Sequence, residues 1–217
     1  KEWQLIGNEI NGETGSAINN YFGSSVSLSD NGNILAIGGI YGKNDNDNNN
    51  NNDIYTGNVR VYDYVKDRVP NEWQQLGDDI YGDVEWDYFG QSVSLSADGT
   101  ILAIGANGND DNGSGSGHVR VYDYDETRNP KWKQLGSTIV GEGASDQSGR
   151  RISLSADGTI LAIGAHDNDG DPGVNSGHVR VYQYIEDKDW VQIGYDIDGE
   201  AACLLYTSDA ADESRGV

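Results

Sequence analysis

Small polar and apolar residues alternate along Gly90-Gln91-Ser92-Val93-Ser94-Leu95-Ser96. Period-two alternation over so short a stretch predicts a β-strand with one face turned inward. Asp98-Gly99 follows, and a glycine that accepts positive φ lets the chain turn back tightly. Ile101-Leu102-Ala103-Ile104-Gly105 then reads as the returning strand. A loop rich in Gly, Asn, Asp and Ser spans Asn107 to Gly117. His118 to Tyr124 is a third strand, dense in β-branched and aromatic residues. After a charged turn with Pro130, Trp132-Lys133-Gln134-Leu135-Gly136 and Ile139-Val140 form a fourth strand, expected to bend at Gly136.

This block of about sixty residues is written three times. The first strand and its return read FGSSVSLSDNGNILAIGG, FGQSVSLSADGTILAIGA and SGRRISLSADGTILAIGA. The third strands carry Arg60, Arg120 and Arg180 at the same point, 60 residues apart each time. A fixed period means one supersecondary unit stacked on copies of itself. Within each unit, Ser, Ala and Gly occupy alternate positions of the first two strands, whereas Tyr and Trp fill the last two. Sheets stacked radially need this taper, because neighbours converge near the axis and splay at the rim. The expected fold is therefore all-β, with each unit a four-stranded antiparallel blade of a β-propeller. A sandwich or linear solenoid also gives short strands at regular spacing, but sixty residues is long for a solenoid coil. Trp3 to Ile10 repeats the fourth-strand sequence, so residues 1–12 read as an orphan outer strand. Blades are placed at about 22–82, 89–141 and 148–199, within a partial propeller over 1–202. Propellers close with about 4–8 blades, so three leave the ring open and further blades are expected beside them.

The string FGxSVSLSxDGxILAIGA resembles the FG-GAP repeat of integrin-α-type propellers. It is carried by Phe22-Gly23, Phe89-Gly90, Gly105-Ala106 and Gly164-Ala165, with Gly38-Gly39 in the first blade. The run SADGTILAIGA…GHVRVYDY is also similar to WD40 and YVTN blades. The resemblance implies a rigid platform whose loops bind a protein or a glycan, in an extracellular or cell-surface setting. This chain departs from it in two ways. The first-to-second-strand loops are only Asp30-Asn31-Gly32, Asp98-Gly99 and Asp157-Gly158, too few oxygens for the six to eight that calcium takes. Blade three has Ser148-Gly149 in place of Phe-Gly.

Composition narrows the partners. The formal net charge of −22 over 217 residues disfavours phosphate backbones and anionic lipid surfaces, so neither nucleic acid nor direct membrane contact is expected. No apolar run reaches the ~20 residues of a membrane helix. With no methionine, the chain reads as an internal piece. Cys203 to Glu213 (CLLYTSDAADE) resembles a translated sequencing-library adapter, and residues 203–217 are set aside as a non-native tail. The single cysteine lies there, so thiol and disulfide chemistry find no support.

Candidate sites are few. Asp167, Asp169 and Asp171 alternate with Asn168 and Gly170, a spacing that suits a calcium loop or an ordinary solvated turn. The same stretch after the second strand contains an asparagine run, Asn48 to Asn52, in blade one. Arg60, Arg120 and Arg180 recur in every blade, as do Trp3, Trp73, Trp132 and Trp190. Recurrence assigns them to the scaffold, the arginines as ion-pair partners between blades and the tryptophans as rim wedges. Trp86 does not recur, and with Tyr88 it marks a binding contact in the segment entering blade two. Asn112-Gly113-Ser114 is a glycosylation sequon. No catalytic motif accompanies His118, His166 or His178. The expected function is a non-catalytic binding or adhesion module for a protein or glycan. The alternatives are part of a propeller enzyme with catalytic residues in other blades, or a purely structural repeat of a larger surface protein. No cofactor other than calcium is suggested.

Overall fold

The computed structural model describes residues 2–12, 20–42, 55–66, 72–169 and 176–200. Among them there is no helix. Blade one comprises β1 (Phe22–Leu28), β2 (Ile34–Gly39), β3 (Asn58–Val65), β4 (Glu72–Gln75) and β5 (Ile80–Tyr81). Blade two comprises β6 (Ser92–Leu95), β7 (Ile101–Ala106), β8 (His118–Tyr124), β9 (Trp132–Gln134) and β10 (Ile139–Val140). Blade three comprises β11 (Arg151–Leu154), β12 (Ile160–Ala165), β13 (His178–Ile185), β14 (Asp189–Gln192) and β15 (Ile197–Asp198). All pairings within the three sheets are antiparallel, and the register repeats: Ile37 faces Arg60, Ile104 faces Arg120 and Ile163 faces Arg180.

The fourth strand is not one strand with a bend but two short segments. Both pair with the third strand of their blade, as β9 and β10 do with β8. They are separated at Gly77, Gly136 and Gly194, each in the left-handed region at φ 80, 74 and 77°. The first-to-second-strand connections are the expected Gly-bearing turns. Gly99 N–H closes on Ser96 C=O at 3.0 Å, while Asp98 Oδ1 accepts from Ser96 Oγ and from Thr100 N–H and hydroxyl.

The core lies between the sheets. Leu102, Ile104 and Tyr122 of blade two pack with Ala36, Val59, Val61 and Ile80 of blade one. On the opposite face Ala103, Val119, Val121 and Ile139 pack with Leu154, Leu161 and Ile163 of blade three. Strand alternation thus divides blade two between its neighbours. The first strands approach most closely. Ser25 Oγ donates to Gly90 C=O and Ser92 Oγ to Gly149 C=O, both at 2.7 Å. In return Leu95 N–H donates to Ser27 Oγ at 3.0 Å and Leu154 N–H to Ser94 Oγ at 2.9 Å. A Cβ at Gly38 or Gly105 would strike the carbonyl oxygen of Gly90 or Gly149. At the rim the gap is wide enough for indole. Trp132 Nε1 donates to Leu76 C=O and Trp190 Nε1 to Leu135 C=O, each at 2.9 Å.

Residues 2–12 occupy the same rim position against blade one. Gly7 abuts the Trp73 ring as Gly77 abuts Trp132, and Asn8 Oδ1 accepts from Trp73 N–H at 2.7 Å. The ring is not closed. Val26 and Leu28 of blade one are 64% and 56% exposed, whereas the matching Val93 and Leu95 of blade two are 8% and 7%. Blade three leaves Val179 and Ile197 exposed on its far face. The segment 203–217 set aside above, the asparagine run and Asp171 lie outside the described residues.

The unequal environments of equivalent glycines give a test of blade spacing. Gly105→Ala is expected to lower stability by about 1–3 kcal/mol through overpacking. Gly164→Ala, whose Cβ meets nothing nearer than the Arg151 carbonyl at 3.5 Å, should change it by less than ~0.5 kcal/mol. Urea denaturation of the two variants measures both.

Candidate functional site

Each blade is entered through a segment that crosses the face carrying the second-to-third-strand loops. Its backbone is fixed by a buried polar pair: Asn109 Nδ2 donates to Asp87 Oδ2, and Asn168 Nδ2 to Asp146 Oδ2, both at 3.0 Å. Burial pushes the Asp87 carboxyl above its ordinary range, against the effect of the Asn109 hydrogen bond. A turn then closes from Gln91 N–H to Tyr88 C=O at 2.9 Å, with Gly90 at φ 91° as the position that needs glycine. The same turn joins Ser24 to Tyr21 and Arg150 to Gln147.

In blades two and three, two side chains at the approach to the turn are thrown outward by left-handed backbone. Trp86 and Tyr88 sit at φ 71 and 57°, and their counterparts Ser145 and Gln147 at 70 and 54°. Tyr21, the counterpart of Tyr88, is at φ 50°. Non-glycine residues rarely adopt this region, and here a repeated hydrogen-bonded frame imposes it. Trp86 and Tyr88 converge on Tyr41, which follows β2. Ring centroids lie 5.9 and 5.6 Å apart in edge-to-face contact, and Tyr21 meets Tyr41 at 5.4 Å. Desolvation and the Tyr88 hydroxyl raise the Tyr41 phenol above its ordinary value. Trp86 remains 50% exposed.

Between these rings and blade three lies a cavity of about 430 Å³, lined by Trp86, Tyr88, Asn107, Asp110, Ser114, Ser145 and Gln147, with Gly108 and Gly115. Gly108 is required because a Cβ there would strike the Trp86 carbonyl oxygen. Asn107 is buried; its Nδ2 donates to Gln147 Oε1 at 3.0 Å, and its Oδ1 accepts no hydrogen bond. Gln147 is held from two further sides, by Arg150 at 2.8 Å and by Asp167 Oδ2 at 2.6 Å.

The structure thus brings Trp86 and Tyr88 into one aromatic cluster. The sequence reading missed Tyr21, Tyr41, Asn107 and Gln147, although the shared Tyr-Phe-Gly of 21–23 and 88–90 was a visible signal for Tyr21. Asp167 accepts from Gln147 and lies 3.3 Å from His166. Asp169 is described, but Asp171 is not, so the three carboxylates are not seen together. The Asn112 amide donates to the carbonyls of Gly141 and Glu142, which engages the sequon nitrogen.

Arg60 pairs with Asp79 of its own blade at 2.7 Å and Arg120 with Asp83 of the segment before blade two at 2.5 Å. Arg180 pairs with Asp196 at 3.3 Å and with Glu142. Arg60 and Arg120 also lie over the Phe22 and Phe89 rings, at 5.7 and 6.0 Å. Glu142, His178 and Asp196 have the spacing of a metal set, but the Arg180 guanidinium already pairs with both carboxylates. Trp73, Trp132 and Trp190 pack on Tyr64, Tyr124 and Tyr184 at the rim, whereas Trp3 is fully exposed.

Comparison with known proteins agrees with this geometry. The FG-GAP repeat family profile matches residues 84–122, which run from the aromatic entry segment through β8. The chain is built of β-propeller repeats. Among solved structures, the hydrazine synthase of Kuenenia stuttgartiensis aligns with TM-score 0.50 at 14% identity, over 90% of this chain and 40% of that one. The periplasmic gluconolactonase of Pseudomonas aeruginosa aligns at 14% identity and TM-score 0.42, over 85% of this chain and 59% of that one. Sqt1 of Saccharomyces cerevisiae aligns at 15% identity and TM-score 0.42, over 81% and 35%. The chain therefore spans less than two thirds of the length of each of these proteins, and the likeness to the hydrazine synthase, at such identity, shows the fold alone. No curated protein sequence matches the chain.

Within the propeller His118 and His178 are buried members of their third strands, whereas His166 is exposed after β12. His118 is 1% exposed, with Nδ1 3.4 Å from Asp111 and Nε2 unpaired. Burial, aided by the Arg120 charge, lowers its pKa from 6.5 to about 4. The unfolded chain then binds more protons than the native one between pH 6.5 and about 4. Stability contributed by neutral His118 is complete above this window and is lost as pH falls through it, by at most about 3 kcal/mol. His118→Asn, which copies Asn58 of blade one, should flatten that part of the profile in urea titrations run from pH 7 to pH 4.

Proposed function

We propose that this propeller is a non-catalytic binding or adhesion module, and that its ligand seats on the face where blades two and three meet. The observation that carries the reading is the convergence of outward-thrown Trp86 and Tyr88 on one cavity that Asn107 and Gln147 also line. A cavity of about 430 Å³ falls within the ~300–1,000 Å³ of small-ligand sites. Aromatic side chains that are held rigid and partly exposed are the residues most often found to anchor a partner. The glycan or protein class of partner implied by the FG-GAP resemblance fits such a site.

Blade three supplies ready-made replacements, since Ser145 and Gln147 hold the same left-handed backbone as Trp86 and Tyr88. Trp86→Ser and Tyr88→Gln should keep the fold and lower the melting temperature by only a few degrees, the scale of one lost ring contact with Tyr41. Each should weaken binding at least tenfold for a ligand found on arrays of immobilised glycans and matrix proteins, since a buried anchor is worth more than ~1.4 kcal/mol. Lys133→Ala, on the outer strand, should leave that affinity unchanged. Undiminished binding by Trp86→Ser, or chemical conversion of the bound ligand by the parent chain, would overturn the reading.

A further inference from the structure

We infer that the cavity between blades two and three takes a cationic side chain, arginine or lysine, of a basic protein partner, held between the Trp86 and Tyr88 rings and the Asp110 carboxylate. This rests on the binding role proposed above and names the chemistry of the partner.

The lining selects among ligands by charge. Asp110 is exposed and lines the cavity. Its Oδ1 accepts from Gly115 N–H at 2.7 Å, which fixes the carboxylate in place. Among the described residues no cation pairs with it, and neither lysine nor arginine lines the cavity. Arg150 donates instead to Gln147. Glu85 and Asp111, the sequence neighbours of Trp86 and Asp110, are exposed as well. Burial pushes the Asp87 carboxyl up, and the Asp111 and Asp110 charges add to it, so this face carries a negative field. An anion is repelled by that field and by the net charge of −22. An uncharged ligand strips water from Asp110 and puts no charge in its place, which a carboxylate tolerates poorly. A bare calcium ion takes six to eight oxygens, and this cavity offers one carboxylate beside two aromatic rings. An organic cation matches both the acid and the rings.

The rings are ready to receive it. Trp86 is 50% exposed, and Tyr41 braces Trp86 and Tyr88 edge-on, so their positions are set before a ligand arrives. The face of an indole or phenol ring attracts a cation through its quadrupole. The hydroxyls of Ser114 and Ser145 line the same cavity and accept from N–H groups. The chain already uses this combination internally: the Arg120 guanidinium lies over the Phe89 ring at 6.0 Å and pairs with Asp83.

The test uses the whole chain and capped pentapeptides that differ only at a central arginine, lysine, citrulline or glutamate, with methyl glycosides as neutral probes. Binding is read from the NMR amide shifts of Gly108 and Gly115, which line the cavity. The arginine and lysine peptides should bind. Citrulline keeps the shape of arginine without its charge and should bind at least tenfold more weakly. Trp86→Ser and Asp110→Asn should each weaken the cationic peptides about tenfold, the scale of one lost anchor or charge-assisted hydrogen bond. The second change keeps an oxygen for Gly115 N–H, so the loop should hold its shape. Asp30→Asn removes the same charge in the β1–β2 turn, at the other end of the strands, and should leave the affinity unchanged. Equal weakening by Asp30→Asn and Asp110→Asn, or cationic binding that survives either Trp86→Ser or Asp110→Asn, overturns the assignment to this cavity. Citrulline or a glycoside bound through Trp86 as tightly as arginine overturns the cation and leaves the binding module standing. If neither these probes nor the arrayed ligands show any Trp86-dependent binding, both fall.

Discussion

Everything in this chain follows from how closely neighbouring sheets approach along their first strands. There the backbone of one blade lies against the carbonyl oxygens of the next, with no room for a side chain at Gly38 or Gly105. Serine hydroxyls bridge the contact in both directions, donating to a glycine carbonyl and accepting from a leucine amide. Each bond is worth only about 0.5–1.5 kcal/mol net. Their repetition at every junction sets the spacing that the apolar residues between sheets then fill. Because the sheets diverge from this line, the rim must hold bulk, and indole rings bonded to the preceding blade supply it.

The same geometry builds the candidate site. A chain that ends one blade at the rim and begins the next near the axis must cross the face between them. The crossing is fixed by a buried Asp–Asn pair and a glycine turn, and the residues on either side of the aspartate are forced into left-handed backbone. That backbone is common to the blades while its side chains are not. Where blade two carries Trp86 and Tyr88, blade three carries Ser145 and Gln147, so a repeated frame yields an aromatic-walled cavity between blades two and three. The frame carries the conformational strain, and the exposed positions are left free to differ.

Much of the fold was legible because strands and turns are local. Alternation in SVSL and ILAIG, Asp-Gly turns and the sixty-residue period each depend on neighbours in sequence. Trp86 was legible as a break in that period. Its companions were not, because Tyr41 belongs to the preceding blade and meets Trp86 only through the stacking of sheets, while Asn107 comes beside it through the folding of blade two. The arginines show the same limit. Their recurrence suggested ion pairs, but with 36 acidic residues in the chain nothing local chose the partners. The structure pairs Arg120 with the preceding segment, Arg60 within its own blade, and Arg180 with both. The fourth strand, read as continuous, is split because left-handed glycine interrupts its pairing at the rim.

By itself, then, the sequence determined the unit: its strands, turns, small-residue edge and aromatic rim, all of which are set within a few residues of one another. Only the tertiary structure decided what the units make together. The approach of two sheets determines which hydroxyl meets which carbonyl, which arginine meets which acid, and which unrepeated side chains share a cavity. Those contacts join residues up to 68 positions apart, and distance along the chain carries no record of them.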